Sequence, residues 1–480
     1  MTKPKFKKTV TVEADADSIV ASKKKRPSTT KTKAVTEEKV NRDKAASSLT
    51  NESETVAPDK AEQIPESLTP TDSTGAEVEI ICNSREFNDY IQALKTIIPN
   101  NSTHPILCNV LIEADAAVQQ LYLTTYNLEF GLQVGFDATV NQPGKLTLPA
   151  PILADILGKF PSGRLTLNSQ LTTSKGNETS SVTATMKMSG SHHVLRGLLS
   201  DEFPAIPNVE QKLLSLPASV LLAALKGSLF AVSSDEVKRI ITGAYFQLSH
   251  DSDRRIDQLR IWTTDGHRIA MILGLSESTA DPNPLIDSPV QFTVPAKVLK
   301  VLERNVNPTD RISIYYNASA QAPQNFVAFK WKNWRLTSQL LEGQYPNCNQ
   351  IIDPFRSQFS HQLLIERLSL LKALERLSTH SDKSHVTVIL DFDSTHQQVQ
   401  ASINNAISSG IEVIDAQING GDFRIKCDIR YLIDTIKAIS NSDVRMLFAT
   451  PTTPILIVPF GTPASGEAAI ESEYVIAPQE

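Results

Sequence analysis

The sequence predicts an α+β protein built from three tandem repeats of one domain. Two segments, Leu198–Pro207 and Leu340–Asn349, share one order of residue classes: two leucines, acidic or small residues, an aromatic residue and a following proline. Upstream of each lie an apolar strand pattern, a Pro-Ala pair and an amphipathic helical pattern. Such a block of helices and alternating strands, about 130 residues long, has the size of a single α+β domain.

The first 76 residues differ in composition from the rest of the chain. Residues 1–45 contain 13 Lys or Arg and 6 Asp or Glu, whereas residues 46–76 contain 1 and 6. Aromatic residues are nearly absent from both parts. Because such a segment cannot bury enough apolar surface to offset its chain entropy, we expect residues 1–76 to form a disordered charged tail.

Each repeat opens with a helix. The three stretches are "SREFNDYIQALKTII" (84–98), "PASVLLAALKGSLFAVS" (217–233) and "HQLLIERLSLLKALERLS" (361–378). Apolar residues recur in them at i, i+3 and i+4, the period of an amphipathic helix. The alternating stretches "QLYLTTY", "LRIWTT" and "VTVILDFD" then predict strands.

A second helix and a further strand complete each repeat. The helices are "PILADILGKF", "KVLKVLERN" and, in a weaker third copy, "IRYLIDTIKAI"; the strands that follow are "RLTLNSQL", "RISIYYNA" and "VRMLFATP". We therefore expect domains at 77–205, 206–345 and 346–480. The period is too long for a solenoid or a propeller.

Composition limits the class of protein. The chain carries a net charge of −6, and since the tail contributes +2, the body carries −8. On bulk charge alone, this argues against nucleic-acid binding. No apolar run approaches the roughly 20 residues of a membrane helix, and "MTKPKFKKTV" lacks the apolar stretch of a secretory signal. These features predict a cytoplasmic protein.

Motifs for metal, cofactor and nucleotide binding are absent from the sequence. The four cysteines form no CxxC or CxH pair, and no HExxH, GxGxxG, GxxxxGK[ST] or GxSxG occurs. We therefore predict no metal site and no cofactor, and we expect the cysteines to be buried, reduced thiols.

One short stretch, "TTDGHRIAM" (263–271), is rich in reactive side chains. Catalysis by Asp265 and His267 would require a nucleophile and a base within reach of a substrate, and no nucleophile motif lies nearby. An Asp-Gly pair between the strand patterns "QLRIW" and "IAMILGL" is typical of a hairpin turn. The sequence therefore favours a turn at Asp265-Gly266.

Eight stretches of the body follow one another in a characteristic order and spacing: "STHPILCNVLIEA", "LPAPILADILGKFPSG", "FAVSSDEVKRIITGAYF", "TTDGHRIAM", "LLEGQYPN", "RYLIDTIKAI", "VRMLF" and "YVIAP". In these stretches the body resembles the bacterial sliding clamp, the β subunit of DNA polymerase III. The resemblance covers about 400 residues, and it does not extend to the tail.

The resemblance implies a head-to-tail dimeric ring of DNA-clamp domains, with antiparallel sheets outside and two helices per domain lining a channel. It implies a processivity factor without enzymatic activity that encircles double-stranded DNA independently of sequence. The implied partners are the polymerase III catalytic subunit, the clamp-loader complex, repair polymerases and mismatch-repair proteins. The implied location is the cytoplasm, at the nucleoid.

The resemblance also implies a peptide-binding cleft on the outer face. Its deeper half would be lined by Ile241, Thr264, Gly266, His267, Arg268, Ile269, Pro295 and Leu299. The C-terminal strand would close it with Val475, Ile476 and Pro478, and the shallower side would be formed by Leu336, Asp428 and Tyr431. Aliphatic side chains would bury a Leu or Phe anchor of the peptide, worth about 1.5–3 kcal/mol. Arg268 and Thr264 would pair with its polar groups.

A basic channel face would need cations on the helices, making weak and mobile phosphate contacts. The helices of the three repeats provide nine candidates: Lys95, Lys159, Lys226, Lys300, Arg304, Lys372, Arg376, Arg430 and Lys437. Each could instead be a solvated helix position.

The sequence departs from the family pattern at four places. Asn101 and Pro151 stand where basic residues are usual, Asp428 stands where Asn is usual, and the chain ends in "APQE" without a longer Met-rich, basic tail. These differences leave open a specialised or regulatory clamp paralogue with weakened DNA loading or altered partners. An enzyme using Asp265 and His267, and a clamp-like ring inhibitor, are the remaining alternatives.

Overall fold

A computed structural model describes residues 75–99, 103–173, 180–251, 253–277, 289–317, 325–381, 386–463, 468 and 470–479. It is a mixed α+β protein with antiparallel sheets. The predicted tail and Asn101 lie outside the described residues. No helix among the described residues is long and apolar enough to cross a membrane.

The first repeat begins at the first described strand and contains two helices. Its elements are β1 (Glu79–Asn83), α1 (Ser84–Lys95), β2 (Asn109–Asp115), β3 (Gln120–Tyr126), β4 (Phe130–Asp137), β5 (Thr139–Gln142), β6 (Gly144–Pro149), α2 (Ala150–Leu157), β7 (Arg164–Thr173), β8 (Ser180–Met188) and β9 (Ser191–Gly197).

The second repeat follows the same order, without a counterpart of the short strand β5. Its elements are β10 (Lys212–Pro217), α3 (Ala218–Ser228), β11 (Gly243–Asp251), β12 (Ile256–Thr264), β13 (Arg268–Glu277), β14 (Val290–Pro295), α4 (Ala296–Asn305), β15 (Arg311–Asn317), β16 (Phe326–Trp331) and β17 (Trp334–Gln339).

The third repeat is preceded by an extra helix, α5 (Cys348–Arg356). Its own elements are β18 (His361–Glu366), α6 (Arg367–Ser378), β19 (Thr387–Asp393), β20 (Gln398–Asn404), β21 (Ser409–Asp415), β22 (Gln417–Asn419), β23 (Phe423–Asp428), α7 (Ile429–Ala438), β24 (Asp443–Phe448), β25 (Ile455–Phe460) and β26 (Ile470–Ile476).

The expected helix at 361–378 was wrong over its first six residues, which form strand β18. Leu363 and Ile365 alternate into the core and pair with β24, so this part has the period of a strand. The helix begins after Glu366, whose side chain accepts a hydrogen bond from the backbone N–H of Ser369 at 3.0 Å. Helix α5 was not predicted.

Continuous sheets join neighbouring repeats. The eight-stranded sheet has the order β10-β15-β16-β17-β4-β3-β2-β6, so β17 of the second repeat pairs with β4 of the first. The nine-stranded sheet has the order β14-β11-β12-β13-β26-β25-β24-β18-β22, so β26 of the third repeat pairs with β13 of the second. Both junctions between repeats are thus strand pairs within a sheet.

Two smaller sheets lie in the first and the last repeat. The five-stranded sheet β5-β1-β7-β8-β9 belongs to the first repeat, and the four-stranded sheet β21-β20-β19-β23 belongs to the third. Because β9 and β21 each lie last in their sheet, each leaves one edge without a partner strand in the described chain.

The helices pack on the sheets through one apolar face. In α1, Phe87, Ile91 and Leu94 follow the helical period and are fully buried, and Asn83 caps the helix by accepting from the N–H of Arg85 at 2.9 Å. Burying a large aliphatic or aromatic side chain contributes about 1.5–3 kcal/mol. These contacts hold the helices on one face of the sheets.

The cysteines are free thiols. Cys82, Cys348 and Cys427 are buried, and burial raises the pKa of each thiol to about 12. Cys108 is half-buried instead, so the expectation of buried thiols was wrong for this one cysteine. No group of three or more His, Cys, Asp and Glu residues within the described ranges could hold a metal ion.

Candidate peptide-binding cleft

The "TTDGHR" stretch is a hairpin turn, as the sequence predicted. Strands β12 and β13 pair up to Thr264 and Ile269, and Gly266 has a φ of +93°, which L residues rarely adopt. The Asp265 carboxylate accepts hydrogen bonds from the backbone N–H groups of His267 and Arg268, at 2.9 and 3.0 Å. Asp265 is thereby used to fix the turn.

Arg268 is a structural cation and not a free recognition group. Only 9% of the residue is exposed. Its Nε donates to Asp265 Oδ2 at 2.9 Å, Nη1 donates to Asp434 Oδ2 at 2.8 Å, and Nη2 donates to the carbonyl of Phe230 at 2.7 Å. Since Asp434 lies on α7, this guanidinium ties the turn of the second repeat to the third repeat.

Aromatic rings surround the guanidinium. Arg268 lies 4.7 Å from the centre of the Tyr431 ring and 5.1 Å from that of Phe230. The His267 ring stacks on Tyr431 with centroids 5.9 Å apart and 17° between the planes. Burial, followed by the nearby charges of Asp265 and Asp428, raises the pKa of Tyr431, so its phenol stays neutral.

An apolar cluster lies beside the turn. Ile241, Ile269 and Val475 belong to it, and they bring together the segment before β11, the start of β13 and the C-terminal strand. Ile241 and Ile269 are both buried. The other buried members are Met271, Tyr345, Cys348, Ile352 and Leu456.

The C-terminal residues run along the turn. Ile476 pairs with Arg268, and the N–H of Ala477 donates to the carbonyl of His267 at 2.9 Å. Further on, the N–H of Gln479 donates to the carbonyl of Lys426 at 2.9 Å. Pro478, between them, is half-buried, so the end of the chain forms one side of the surface around His267.

Thr264 is committed to the fold as well. Its hydroxyl donates to the carbonyl of Arg268 at 2.7 Å and accepts from the N–H of Gly266 at 3.1 Å. Its backbone N–H donates to the Tyr345 hydroxyl at 3.0 Å. Pairing of Thr264 and Arg268 with the polar groups of a peptide stays a prediction, and it would require both side chains to share or give up their internal partners.

Three other expected cleft residues are buried. Leu336 is fully buried in β17, where it pairs with Leu132 of the first repeat, so it belongs to the other sheet. Leu299 lies on α4 and is fully buried in the main core, and buried Pro295, the last residue of β14, pairs with Gly243. Their sequence positions fit the family pattern, and their contact with a peptide stays a prediction, since all three side chains are buried in the described chain.

Asp428, which stands where Asn is usual in the family pattern, places no free charge at the cleft edge. It is 3% exposed and caps α7 by accepting from the N–H of Arg430 at 2.8 Å. The Arg430 guanidinium also pairs with this carboxylate, at 2.6 Å. Arg430, two residues further along the chain, therefore neutralises the negative charge of Asp428.

The surface that remains consists of few groups. His267, Gly266 and Ala477 are exposed, and half-buried Tyr431 and Pro478 flank them above the apolar cluster. Such a surface can bury an aliphatic anchor, stack an aromatic group and offer exposed backbone. Sequence reasoning missed Phe230, Asp434 and Tyr345, although the three-residue spacing of Tyr431 and Asp434 places both on one face of α7.

Family models of the DNA polymerase III beta subunit match the chain in three consecutive parts. The N-terminal domain matches residues 78–207, the central domain 215–347 and the C-terminal domain 355–470. The chain belongs to the DNA polymerase III beta subunit family.

The chain covers nearly the whole length of similar proteins of this family. The beta sliding clamp of Synechococcus elongatus is 32% identical over 389 residues, covering 80% of this chain and 96% of that relative. The beta sliding clamp of Synechocystis sp. is 34% identical over 394 residues, with the same coverage.

Solved sliding clamps share the fold. The DNA polymerase sliding clamp of Bacillus subtilis aligns with a TM-score of 0.71 at 21% identity, covering 84% of this chain and 99% of that one. The sliding clamp of Pseudomonas aeruginosa, in a crystal structure with griselimycin bound, aligns with a TM-score of 0.70 at 21% identity, covering 84% and 100%.

The helix cations of this beta-subunit chain are partly neutralised. Lys95 on α1 pairs with Asp155 on α2 at 3.1 Å, and Lys437 on α7 pairs with Glu375 on α6 at 2.8 Å. Two further candidates also have carboxylate partners: Arg376 pairs with Glu412, and Arg430 pairs with Asp428. These four candidates are therefore less available to phosphates than the sequence suggested.

Four other candidates remain exposed without an ion pair to any described residue: Lys159, Lys300, Arg304 and Lys372. Lys226 is exposed as well. Pro151 is the second residue of α2 and fits the first turn of a helix. Its counterparts in α4 and α7, Lys297 and Arg430, pair with Glu129 and Asp428.

Proposed function

We propose that this protein is a DNA sliding clamp, a processivity factor that encircles duplex DNA as a closed dimeric ring and tethers replication proteins. The observation that carries the proposal is the pair of open strand edges, β9 and β21, at the two ends of a chain of three matching repeats. The names of the relatives, beta sliding clamps, support it.

Repeat topology specifies how the ring closes. By order in the repeat, β4, β13 and β21 correspond, and so do β9, β17 and β26. Inside the chain, β17 pairs with β4 and β26 pairs with β13. The members left over are β9 and β21, so β9 of one protomer pairs with β21 of the other, and two such pairs close a ring of six domains.

The edge strands carry side chains suited to this pairing. Ile411 and Val413 on β21 are 65% and 56% exposed, and Val194 on β9 is 54% exposed. Exposed aliphatic residues on an unpaired edge favour association with another strand. Head-to-tail closure would bury these side chains and complete both ladders.

DNA is held by enclosure and weak contacts in this proposal. The exposed helix cations, foremost Lys159, Lys300, Arg304 and Lys372, face the channel and touch phosphates without reading sequence. The net negative charge of the body keeps DNA off the outside of the ring. The protein acts in the cytoplasm, at the nucleoid.

The surface around His267 is the docking site for partners. We assign to it Ile241, Gly266, His267, Ile269, Tyr431, Val475 and Pro478, with Thr264, Arg268 and Ile476 as its support. Its ligands are short peptides with a Leu or Phe anchor, carried by the polymerase III catalytic subunit, the clamp loader, repair polymerases and mismatch-repair proteins. The protein itself catalyses no reaction.

Loss of the exposed histidine tests the docking site. In His267→Ala, the Kd for a fluorescent peptide with Leu and Phe anchors is expected to rise about 2- to 10-fold, since the peptide loses an aromatic face to stack on, worth roughly 0.5–1.5 kcal/mol. Fluorescence anisotropy measures the Kd. His396→Ala, at an exposed histidine in the β19–β20 turn, is the matched control and should bind as the parent does. Equal Kd values for all three proteins would refute the assignment.

A further inference from the structure

The two junctions inside the chain specify the register of the strand pair that closes the proposed ring. In the described chain, β9 and β21 each lie last in a sheet. By their order in the repeat, β9 corresponds to β17 and β26, and β21 corresponds to β4 and β13. Because β17 pairs with β4 and β26 pairs with β13, these pairs show which positions of β9 and β21 come together.

Equivalent positions on β4, β13 and β21 can be counted from the second helix of each repeat. The residue before this helix pairs with Asn109, Gly243 or Thr387. Two residues further on, each row crosses two strand pairs and ends on the strand in question. The rows are Leu111, Thr124 and Gln133; Tyr245, Trp262 and Met271; and Ile389, Ser402 and Ile411.

The turns before β4 and β21 support this alignment. Asn127 lies six residues before Gln133, and its side-chain oxygen accepts from the N–H of Phe130 at 2.9 Å. Asn405 lies six residues before Ile411, and its side-chain oxygen accepts from the N–H three residues on at 2.8 Å. The same turn therefore leads into both strands at the same position.

Equivalent positions on β9, β17 and β26 can be counted from the first helix of each repeat. Two residues before its N-cap, a row begins that crosses three strand pairs. The rows in the first two repeats are Ile81, Thr166, Lys187 and His192, and Ser215, Ser313, Lys330 and Arg335. In the third repeat the row begins with Leu364, Arg445 and Val458. It ends at Glu473, because Ile457 pairs with Tyr474.

Both internal junctions bring these two positions directly opposite each other. Arg335 pairs with Gln133 at the first junction. Glu473 pairs with Met271 at the second junction. One register therefore holds at both junctions, although the side chains that meet there differ in size and charge.

The backbone hydrogen bonds of the two junctions also have the same phase. At the first junction, the N–H of Gln339 donates to the carbonyl of Glu129 at 2.8 Å. At the second, the N–H of Ala477 donates to the carbonyl of His267 at 2.9 Å. Each bond lies four residues beyond the pair counted above, so directly opposite residues at these positions form hydrogen-bonded pairs.

We infer that β9 of one protomer pairs with β21 of the partner in this same register, with His192 directly opposite Ile411 of the partner subunit. Val194 then lies opposite the partner subunit's Ser409. This register rests on the proposed ring closure and adds to it the identity of the residues that meet. Five residue pairs form the ladder, 191–195 with 408–412, as many as β17 forms with β4.

The helix side of the ring junction differs from that of the internal junctions. There the internal junctions are closed by buried apolar pairs, Leu132 with Leu336 and Ala270 with Tyr474. The equivalent pair in the ring is His193 with Gly410 of the partner subunit. A side chain at Gly410 would come within 2.9 Å of the side chains of Leu377 and His380 of its own protomer. The ring junction therefore lacks the apolar pair that closes each internal one.

A shift by two residues is the competing register, since it keeps every side chain on its own face of the sheet. It would place Val194 opposite the partner subunit's Ile411 and His193 opposite the partner subunit's Glu412. Side-chain matching favours this shift, but Glu412 already pairs with Arg376 of its own protomer. The register common to both internal junctions, which holds there with different side chains, favours the unshifted pairing.

Disulfide cross-linking of the full chain distinguishes the two registers. Pairs of cysteines are introduced into a Cys108→Ser background, because the other three native cysteines are buried. The Cα atoms of a hydrogen-bonded antiparallel pair lie about 5.5 Å apart, within reach of a disulfide. Residues displaced by two along the partner strand lie about 7–8 Å apart, beyond that reach.

Two matched pairs and two crossed pairs use the same four substitutions. The matched pairs are Val194→Cys with Ser409→Cys and His192→Cys with Ile411→Cys. The crossed controls are His192→Cys with Ser409→Cys and Val194→Cys with Ile411→Cys. On mild oxidation followed by non-reducing electrophoresis, we expect the matched pairs to form covalent dimers about tenfold faster than the crossed pairs.

Faster linking of either crossed pair, or equal rates for all four pairs, would overturn this register and leave the ring in place. Native mass spectrometry of the reduced proteins reports dimerisation separately. If one matched variant is no longer dimeric when reduced, the other matched pair decides. A monomeric parent protein would refute the ring closure itself, and the register with it.

Discussion

Arg268→Ala is expected to lower the free energy of unfolding at the junction of the second and third repeats by about 3–5 kcal/mol, the usual effect of removing one partner from a buried ionic network. The guanidinium has two carboxylate partners, one carbonyl partner and two aromatic rings. Without the guanidinium, the negative charge of the Asp265 carboxylate, which is 15% exposed, loses its cationic partner. Arg268→Lys should recover only part of the loss, because one ammonium cannot replace three directed donors.

Arg356→Ala is the matched control. Its ion pair with Glu473 also spans the second junction, but both side chains are 37% exposed, so the expected cost is only about 0–1 kcal/mol. Urea unfolding followed by tryptophan fluorescence compares the two, since Trp262 lies on β12. If the urea midpoint of unfolding shifts by a similar small amount in both variants, Arg268 does not stabilise the junction between the second and third repeats.

The double variant Ile411→Lys/Val413→Lys is expected to weaken dimerisation by about 100-fold or more. Ring closure would bury both side chains at the β21 edge, so the variant loses apolar burial and forces two charges into the contact. The fold of the third repeat should persist, because both positions are exposed in the single chain.

Native mass spectrometry measures this effect. The parent protein should give a dimer of 52.7 kDa chains, and the double variant should give a monomer at the same concentration. Val237→Lys, at a 91% exposed valine in the second repeat, is the matched control and should remain dimeric. A double variant that stays dimeric would place the interface elsewhere than at β21.

Periodicity and repetition predicted two helices per repeat with strands after each, but they missed the strands β1, β10 and β18, which open the repeats ahead of the first helix. The helix period of Phe87, Ile91 and Leu94 and the strand alternation in β3 and β12 are local properties, and they survive in the fold. The Asp265-Gly266 turn follows from local backbone chemistry as well. Helix α5 was missed because it lies between repeats and has no counterpart after the first one.

The roles of individual side chains could not be predicted in the same way, because they depend on partners far along the chain. Arg268 meets Asp434, 166 residues away. Leu336 matched the pattern of the family but pairs with β4 in the other sheet. Sequence reasoning placed residues near the turn correctly and could not tell exposed contacts from buried supports.

The same limit applies to the helix cations. Their positions on the helices could be predicted from the apolar period, whereas their pairing with Asp155, Glu375 and Glu412 could not. Pairing leaves a small set of exposed cations. Such a set suits a protein that retains DNA by enclosure more than by affinity.

Retention on circular against linear DNA tests the central claim most directly. The labelled protein is loaded by a clamp loader on a nicked circular plasmid and separated from free protein by gel filtration. The plasmid is then linearised by a restriction enzyme. A closed ring stays on circular DNA and slides off the ends of linear DNA. We therefore expect the protein to co-elute with the circular plasmid and to be lost from it after linearisation. Equal retention on both forms, or binding to neither in the presence of the loader, would contradict the account.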